Sequence, residues 1–403
     1  MKCQSHSSGA LKSAHPSNLN HFLHSIFHGH PLACGQRAVV SARTVGGTGM
    51  LDIVKKSPDR EWQGAMSAPP LPCFQPLAHI NHESWQALCR QACEPNAYYL
   101  PDWARAVSAS ARGRTDGDAI LSYSGRELAG LLPVVSCWRA YHFPLPAFVS
   151  FDPYGALGTP LLAGSDPVAA AQNLMQEARN RGARSLILRD VPLDGAAIQA
   201  FSGALAADGQ LLHILSEHRR AVLDATQDSE TLLRDALGAK KLKELRRQRA
   251  RMQDFGAVEF RVARTPAEIT RALNDFLLLE ASGWKAARGT ALMQHAGDDA
   301  FIRFATQALA ANGACEIVTL TCGQIPVASG IVLRHQDRAF WFKIGADPAF
   351  ARFSPGVQLA LELTRHLCAD PAIRLADSTA IPNHPMIDPV WRGVAARAAA
   401  FTK

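Results

Sequence analysis

From about residue 118 the apolar positions alternate in short runs, and the runs come in a fixed order. Ala119 to Val135 reads as two strands about a Ser-Gly turn at Gly125, the pattern of a hairpin with one buried face. A third strand, Ala147 to Phe151, enters the Gly/Pro-rich loop Asp152-Pro-Tyr-Gly155-Ala-Leu-Gly158, and a helix over 167–181 and a strand over Ser185–Asp190 follow. Nearly two hundred residues later the same order returns. Glu316 to Leu333 is a hairpin about Gly323, Arg338 to Ile344 a third strand, Val357 to Cys368 a helix, and Ala372 to Asp377 a strand. A period that long indicates a duplicated α/β domain, not a solenoid. The second copy is more complete: a strand at Val258–Val262, an amphipathic helix at Pro266–Ser282 and a helix at Asp298–Ala311 precede its hairpin.

This pattern divides the chain into a leader over 1–65, a first α/β domain over 66–215, a basic helical linker over 216–255 and a second domain over 256–403. The leader shows no sustained period. Six of the fifteen His fall in residues 1–30 among Ser, Asn and Gly, so His21, His24 and His28 could share a metal-binding face, but the composition is that of a disordered segment. Met66 is a sensible native start, and residues 1–65 are expected to be dispensable.

Charge changes the picture only by its location. The formal net charge is +7, yet residues 1–70 hold seven Lys/Arg and three Asp/Glu, a net of +4, which leaves +3 for the body. A general nucleic-acid surface is not implied, and DNA is not an expected partner. The exception is Lys240 to Arg251, with seven basic residues and one acid around a stripe of Leu242, Leu245 and Met252. It reads as a solvated face or as a patch for an anionic ligand. No apolar run reaches eighteen residues, so no membrane span is expected. Nine scattered cysteines lack metal spacing, with Cys89 and Cys93 reading as packing positions; this suits reduced thiols in a cytoplasmic protein.

Candidate chemistry gathers in the second copy. Glu280-Ala-Ser-Gly-Trp284-Lys285-Ala-Ala-Arg288-Gly289-Thr290-Ala-Leu292 closes the helix begun at Pro266. Trp284 could be core or could stack on a sugar ring or nucleobase. Lys285 needs a partner, which a ligand phosphate or carboxylate would supply, and Gly289 with Thr290 makes the adjoining turn. Glu280 could salt-bridge Lys285 or, partly buried, act as a general base. Lys343 stands mid-strand, where alternation puts it on the face of Trp341, with Asp347 and Asp377 at strand ends as partners; Asp377 is the second base candidate. Asp347 to Gly356 is a strand-to-helix turn. There Ser354 and Pro355 fit an ordinary helix cap, and with Arg352 and Gly356 they would also cradle a pyrophosphate at the helix N-terminus.

The element order, the Gly-Trp-Lys…Gly-Thr-Ala-Leu segment and the Phe-Ser-Pro-Gly turn together resemble tandem domains of the GNAT acyltransferase superfamily, and within it the CelD/BcsL or BioF2-like acetyltransferase group. The resemblance covers roughly residues 80–395 and is strongest over 230–380. It implies a mixed α/β sheet, acyl-CoA (acetyl-CoA) as co-substrate with its phosphates at 352–357, and no metal. It also implies an amine or hydroxyl acceptor on a glycan or related metabolite, with contact to polysaccharide-synthesis machinery. The first domain would be a degenerate copy shaping the acceptor cleft. The related FemABX branch implies aminoacyl-tRNA as donor, and a non-catalytic accessory role is the third reading. Many enzymes of this fold protonate the leaving thiolate with a Tyr near the last helix. All five Tyr of this chain, at 98, 99, 123, 141 and 154, lie in its first half, leaving His384 and Cys368 as substitutes.

Overall fold

The structure, a computed structural model, describes residues 71–402; the leader over 1–65, its histidine face and Met66 lie outside the described residues. In chain order the first half contributes β1 (Phe74–Pro76), α1 (His82–Gln91), α2 (Pro101–Ser110), β2 (Asp118–Ser124), β3 (Glu127–Ser136) and α3 (Cys137–Tyr141). It continues with β4 (Ala147–Ser150), β5 (Leu161–Leu162), α4 (Pro167–Asn180), β6 (Ser185–Pro192), α5 (Ala196–Ala207) and β7 (His213–Asp224). Helix α6 (Ser229–Gln253) connects to β8 (Val258–Ala263), α7 (Pro266–Ser282), α8 (Trp284–Ala287), α9 (Ala296–Ala311), β9 (Cys315–Cys322) and β10 (Ile325–His335). The second half ends with β11 (Arg338–Ala346), α10 (Pro355–Cys368), β12 (Leu375–Asp377) and β13 (Gly393–Thr402).

Local chemistry sets the boundaries. Gly125 (φ 60°) and Gly323 (φ 59°) turn the two equivalent hairpins in a left-handed conformation that costs glycine little. Helix α7 starts with a reciprocal cap between Thr265 and Glu268 and with Pro266 at its first position. Its periodic Ile269, Leu273, Phe276 and Leu277 are buried, each contributing roughly 1.5–3 kcal/mol.

The strands form one mixed sheet in the order β1-β2-β3-β4-β6-β13-β7-β12-β11-β10-β9-β8, with β5 on β3. Among the described residues only β4 with β6 and β11 with β12 pair in parallel; the other neighbours are antiparallel. Two strands cross the division expected from the repeat. The last strand of the chain, β13, lies between β6 and β7, while β7 pairs with β12 of the second half. The expected boundary at 215 therefore falls inside a strand. The expected linker over 216–255 is part β7 and part α6, which breaks at Gly238 (φ 72°, ψ 161°).

Alternation along the strands feeds two apolar cores. One gathers Trp103, Phe201, Phe276, Phe301 and Phe340 beneath α2, α5, α7 and α9. The other gathers Leu245, Met252, Trp341, Leu359 and Trp391 beneath α6 and α10. Phe340 and Trp341, adjacent on β11, go one to each.

Candidate active site

Parallel strands that part at their carboxyl ends open a crevice, and this sheet has two such pairs. β4 and β6 pair from Ala147↔Ser185 to Val149↔Ile187 and then separate. At that opening lies a cavity of about 330 Å3, lined by the loop after β4, by Arg189 and Asp190 of β6, and by Phe342 and Lys343 of β11.

Two bulges shape its walls. On β11, Lys343 is opposite Ile331 and Trp341 opposite Val332, so Phe342 is an extra residue. A bulge reverses the alternation beyond it. Lys343 therefore does not share the face of Trp341, as simple alternation had it: Trp341 packs in the α10 core, while Phe342 and Lys343 both face the cavity. On β6, Val191 pairs with Ala398 and Leu188 with Ala400, so Arg189 and Asp190 stand opposite the single residue Ala399. Three non-glycine residues lining the cavity, Tyr154 (φ 60°), Asp190 (φ 51°) and Thr379 (φ 47°), have left-handed backbones. Each such conformation costs about 1–3 kcal/mol and tends to collect at functional sites.

The cavity groups are held by a chain of contacts. Tyr154 Oη donates to Asp298 Oδ2 at 2.9 Å, and Asp298 Oδ1 accepts from Arg112 N at 2.8 Å. The Arg114 guanidinium covers the Tyr154 ring at 4.3 Å and pairs with Asp152 at 3.0 Å. Burial works against the Asp152 charge, but Arg114 and Arg189 hold its carboxyl below the usual range. Burial and the Asp298 carboxylate push the Tyr154 phenol up, so it stays protonated. Lys343 Nζ lies 5.7 Å from the centre of the Tyr154 ring.

Glu280, 2% exposed at the end of α7, anchors that lysine. Its Oε1 accepts from Lys343 Nζ at 3.0 Å and Lys285 Nζ at 3.4 Å, and its Oε2 from Leu292 N at 2.9 Å. Burial lowers the Lys285 pKa while Glu280 opposes the change; Lys285 also donates to the Ile344 carbonyl at 2.7 Å. Gly289 (φ 66°) and Thr290 form an exposed turn in which Thr290 N and Oγ1 donate to the Lys285 carbonyl. The side chain of Trp284 lies outside the described residues.

Asp377, the other base candidate, is 1% exposed. Its Oδ2 accepts from Arg220 of β7 at 2.7 Å and Arg397 of β13 at 2.5 Å, and its Oδ1 from Thr379 N at 2.8 Å. Burial favours its neutral form, yet the two guanidiniums win and hold its carboxyl below the usual range. They arrive on the two strands that cross between the halves.

The expected phosphate turn is a separate locus. Asp347 Oδ1 accepts from Ala349 N at 2.8 Å, capping its own short 3-10 helix. Arg352 lies over the rings of Phe353 at 4.7 Å and Phe255 at 5.4 Å. Ser354 is left-handed (φ 53°) and makes no side-chain cap, contrary to the ordinary cap expected. Pro355 is buried, and a Cβ on Gly356 would sit 3.0 Å from Met386 Sδ. Of the thiolate-protonating substitutes, burial lowers the His384 pKa, and burial pushes the Cys368 thiol up to about 11.

The sequence reading paired Glu280 with Lys285 but gave Lys343 the partners Asp347 and Asp377. The structure brings both lysines to Glu280, while Asp377 binds Arg220 and Arg397 and the 352–356 turn is a separate locus. Sequence reasoning missed Asp152, Tyr154, Arg189 and Asp190. The Gly/Pro-rich Asp152–Gly158 loop was the available signal, since such loops at strand ends carry sites.

Residues 239–380 match the family model described as Acetyltransferase (GNAT) domain. No curated protein matches the chain in sequence. Among solved structures, the C-terminal domain of a putative lysylphosphatidylglycerol synthetase from Agrobacterium fabrum is 14% identical with a TM-score of 0.51, covering 79% of this chain and 90% of its own. FemX is 10% identical, TM-score 0.51, over 80% of this chain and 96% of its own. A conserved protein of unknown function from Bacteroides thetaiotaomicron is 12% identical, TM-score 0.52, over 82% and 99%. These likenesses concern the fold. The match over 239–380 makes that segment an acyltransferase domain of the GNAT type. Among the described residues no helix is long and apolar enough to cross a membrane, and no cluster of His, Cys, Asp or Glu is placed to hold a metal.

Proposed function

We propose that the protein transfers an acyl group from acyl-CoA to an amine or hydroxyl of a glycan or related metabolite bound in the cavity between the halves. The supporting observation is the Lys343 ammonium, turned into that cavity by the β11 bulge and fixed by a buried carboxylate. A cation fixed beforehand at the end of the parted strands can stabilise the oxyanion that forms when the nucleophile attacks the thioester carbonyl. Glu280, with three donors on its two oxygens, acts here as the anchor of that lysine and not as a base. Asp377 joins the crossing strands. Tyr154, protonated and bonded to Asp298, brings its ring from the first half beside Lys343 as a wall of the cavity. The donor's phosphates would rest at the start of α10, where Gly356 and Val357 amides and the helix dipole favour an anion. The resemblance to the CelD/BcsL group suggests exopolysaccharide or cellulose biosynthesis as the setting.

Calorimetry with acetyl-CoA tests this reading. Binding is expected, and Gly356→Glu should weaken it tenfold or more, a change of about 1.4 kcal/mol. No binding at millimolar ligand, or binding indifferent to that substitution, would overturn it.

A second reading, transfer from aminoacyl-tRNA, draws on one observation. Lys240, Lys241, Lys243, Arg246 and Arg251 are all exposed along α6. FemX shares the fold. Salt-sensitive binding of tRNA, with no affinity for acetyl-CoA, would favour it.

A further inference from the structure

Two acids line the cavity, and they differ in how far they are committed. Asp152 is spoken for by Arg114 and by the Tyr154 amide. Asp190 sits on the β6 bulge with its strained backbone and a side chain 40% exposed; among the described residues its only ion-pair partner is His218 Nε2, 3.7 Å away. That separation is beyond a hydrogen bond, so the carboxylate is free to receive one from a bound nucleophile, and such bonds tighten when substrate is present. His218 belongs to β7, opposite Arg397 of β13. The charged groups around it are Asp190 of β6, Arg220 of its own strand, Arg397 of β13 and Asp377 of β12. Burial lowers the imidazole pKa, Asp190 and Asp377 pull upward, and Arg220 and Arg397 reinforce the fall. His218 is therefore neutral at pH 7 and able to take a proton.

We propose that Asp190 is the catalytic base, taking the proton from the acceptor's attacking nitrogen or oxygen and passing it to His218. The inference rests on the acyltransferase reading above. In the step, the acceptor's N–H or O–H bond breaks toward the Asp190 carboxylate as its lone pair forms a bond to the thioester carbonyl carbon. The proton moves on to the imidazole, whose Nε2 lies 3.7 Å from the Asp190 carboxylate. The tetrahedral adduct then expels the CoA thiolate as the C–S bond breaks, and the imidazolium returns its proton through solvent to the thiolate. Asp190 is the residue that touches the acceptor; His218 is a positioning and relay residue.

The experiment follows thiol release from acetyl-CoA by the full chain, with amino sugars and free amino acids as acceptors. Asp190→Asn should lower kcat by ~100- to 10,000-fold with the KM for acetyl-CoA changed by less than about threefold. Asp190→Glu, which keeps a carboxylate, should recover part of the loss. The parent's kcat should fall toward acid, with the limb displaced below the ordinary imidazole value of about 6.5 because burial lowers the His218 pKa, and His218→Gln should lower kcat and abolish that limb. A folded Asp190→Asn or His218→Gln protein with kcat within about threefold of the parent overturns the inference alone. An inactive parent across all acceptors overturns the acyltransferase reading, and this inference with it.

Discussion

The two halves open their parallel strand pairs differently. In the first, β4 and β6 part into a lined cavity, yet the helix that follows is closed to anions: Asp166 Oδ1 already accepts from Ala169 N at 2.9 Å at the start of α4. In the second, β11 and β12 part after Phe340↔Asp377, and the opening is spanned by Thr379, whose Oγ1 donates to the Trp341 carbonyl at 2.6 Å, with Trp391 packed against Trp341. There α10 starts without a side-chain cap. One copy kept the crevice and filled its helix start with a carboxylate, while the other filled its crevice and left its helix start uncapped. Duplication of one pattern thus yields two complementary pieces, and the crossing strands β7 and β13 hold them in register.

The comparison breaks most completely at the join. Asp377→Ala would leave Arg220 and Arg397 buried without their shared carboxylate, and losing one partner of such a cluster costs about 3–5 kcal/mol. Urea denaturation should show that loss in the midpoint. The pH dependence follows the same linkage. A carboxyl whose folded pKa is depressed contributes stability above its unfolded pKa of ~3.9, lost as pH falls through the lower folded value. Should Asp377→Ala abolish turnover with no loss of stability, Asp377 would be chemical and not structural.

Much of this architecture was legible because period and turn chemistry agree. The helix expected at Pro266–Ser282 begins and ends at those residues, with Thr265, Pro266 and Glu268 marking its start. Strand β13 was not legible. Gly-Val-Ala-Ala-Arg-Ala-Ala-Ala-Phe-Thr is rich in the best helix former, and only its place between β6 and β7 makes it sheet. The bulge at Phe342 also escaped the pattern, because alternation is read from one strand while a bulge is defined against its partner. That one residue decides which face Lys343 occupies, so the sequence pattern aimed Lys343 at the wrong face. Tyr154 lies 189 positions before Lys343 in the chain, and no local signal shows that its loop reaches β11.

Lys343→Met sharpens the contrast between a fixed cation in the cavity and a structural one beneath it. The substitution removes the ammonium but keeps the length and most of the apolar stem. Loss of one preorganised oxyanion donor typically costs ~100- to 1,000-fold in kcat. Lys285 and the Leu292 amide would still hold Glu280, so the protein should stay folded, as circular dichroism would check. Lys285→Met should affect kcat less than Lys343→Met, since Lys285 does not line the cavity. Equal losses from the two would mean that the pair acts only through Glu280.

The smallest effect belongs to Asp166, and it tests the other side of the comparison. Replacing an N-cap aspartate by alanine costs about 0.5–2 kcal/mol, because the Ala169 amide loses its acceptor and the helix dipole its negative neighbour. Asp166→Ala should therefore lower the melting temperature of the protein by a few degrees. Acetyl-CoA affinity should stay unchanged if the donor's phosphates rest, as proposed, at α10 and not at α4. If uncapping α4 instead alters that affinity by more than about threefold, the donor engages the first copy, and the division between an acceptor half and a donor half fails. An affinity unchanged by Asp166→Ala but lost on Gly356→Glu would place the two helix starts, built from one ancestral pattern, in different roles.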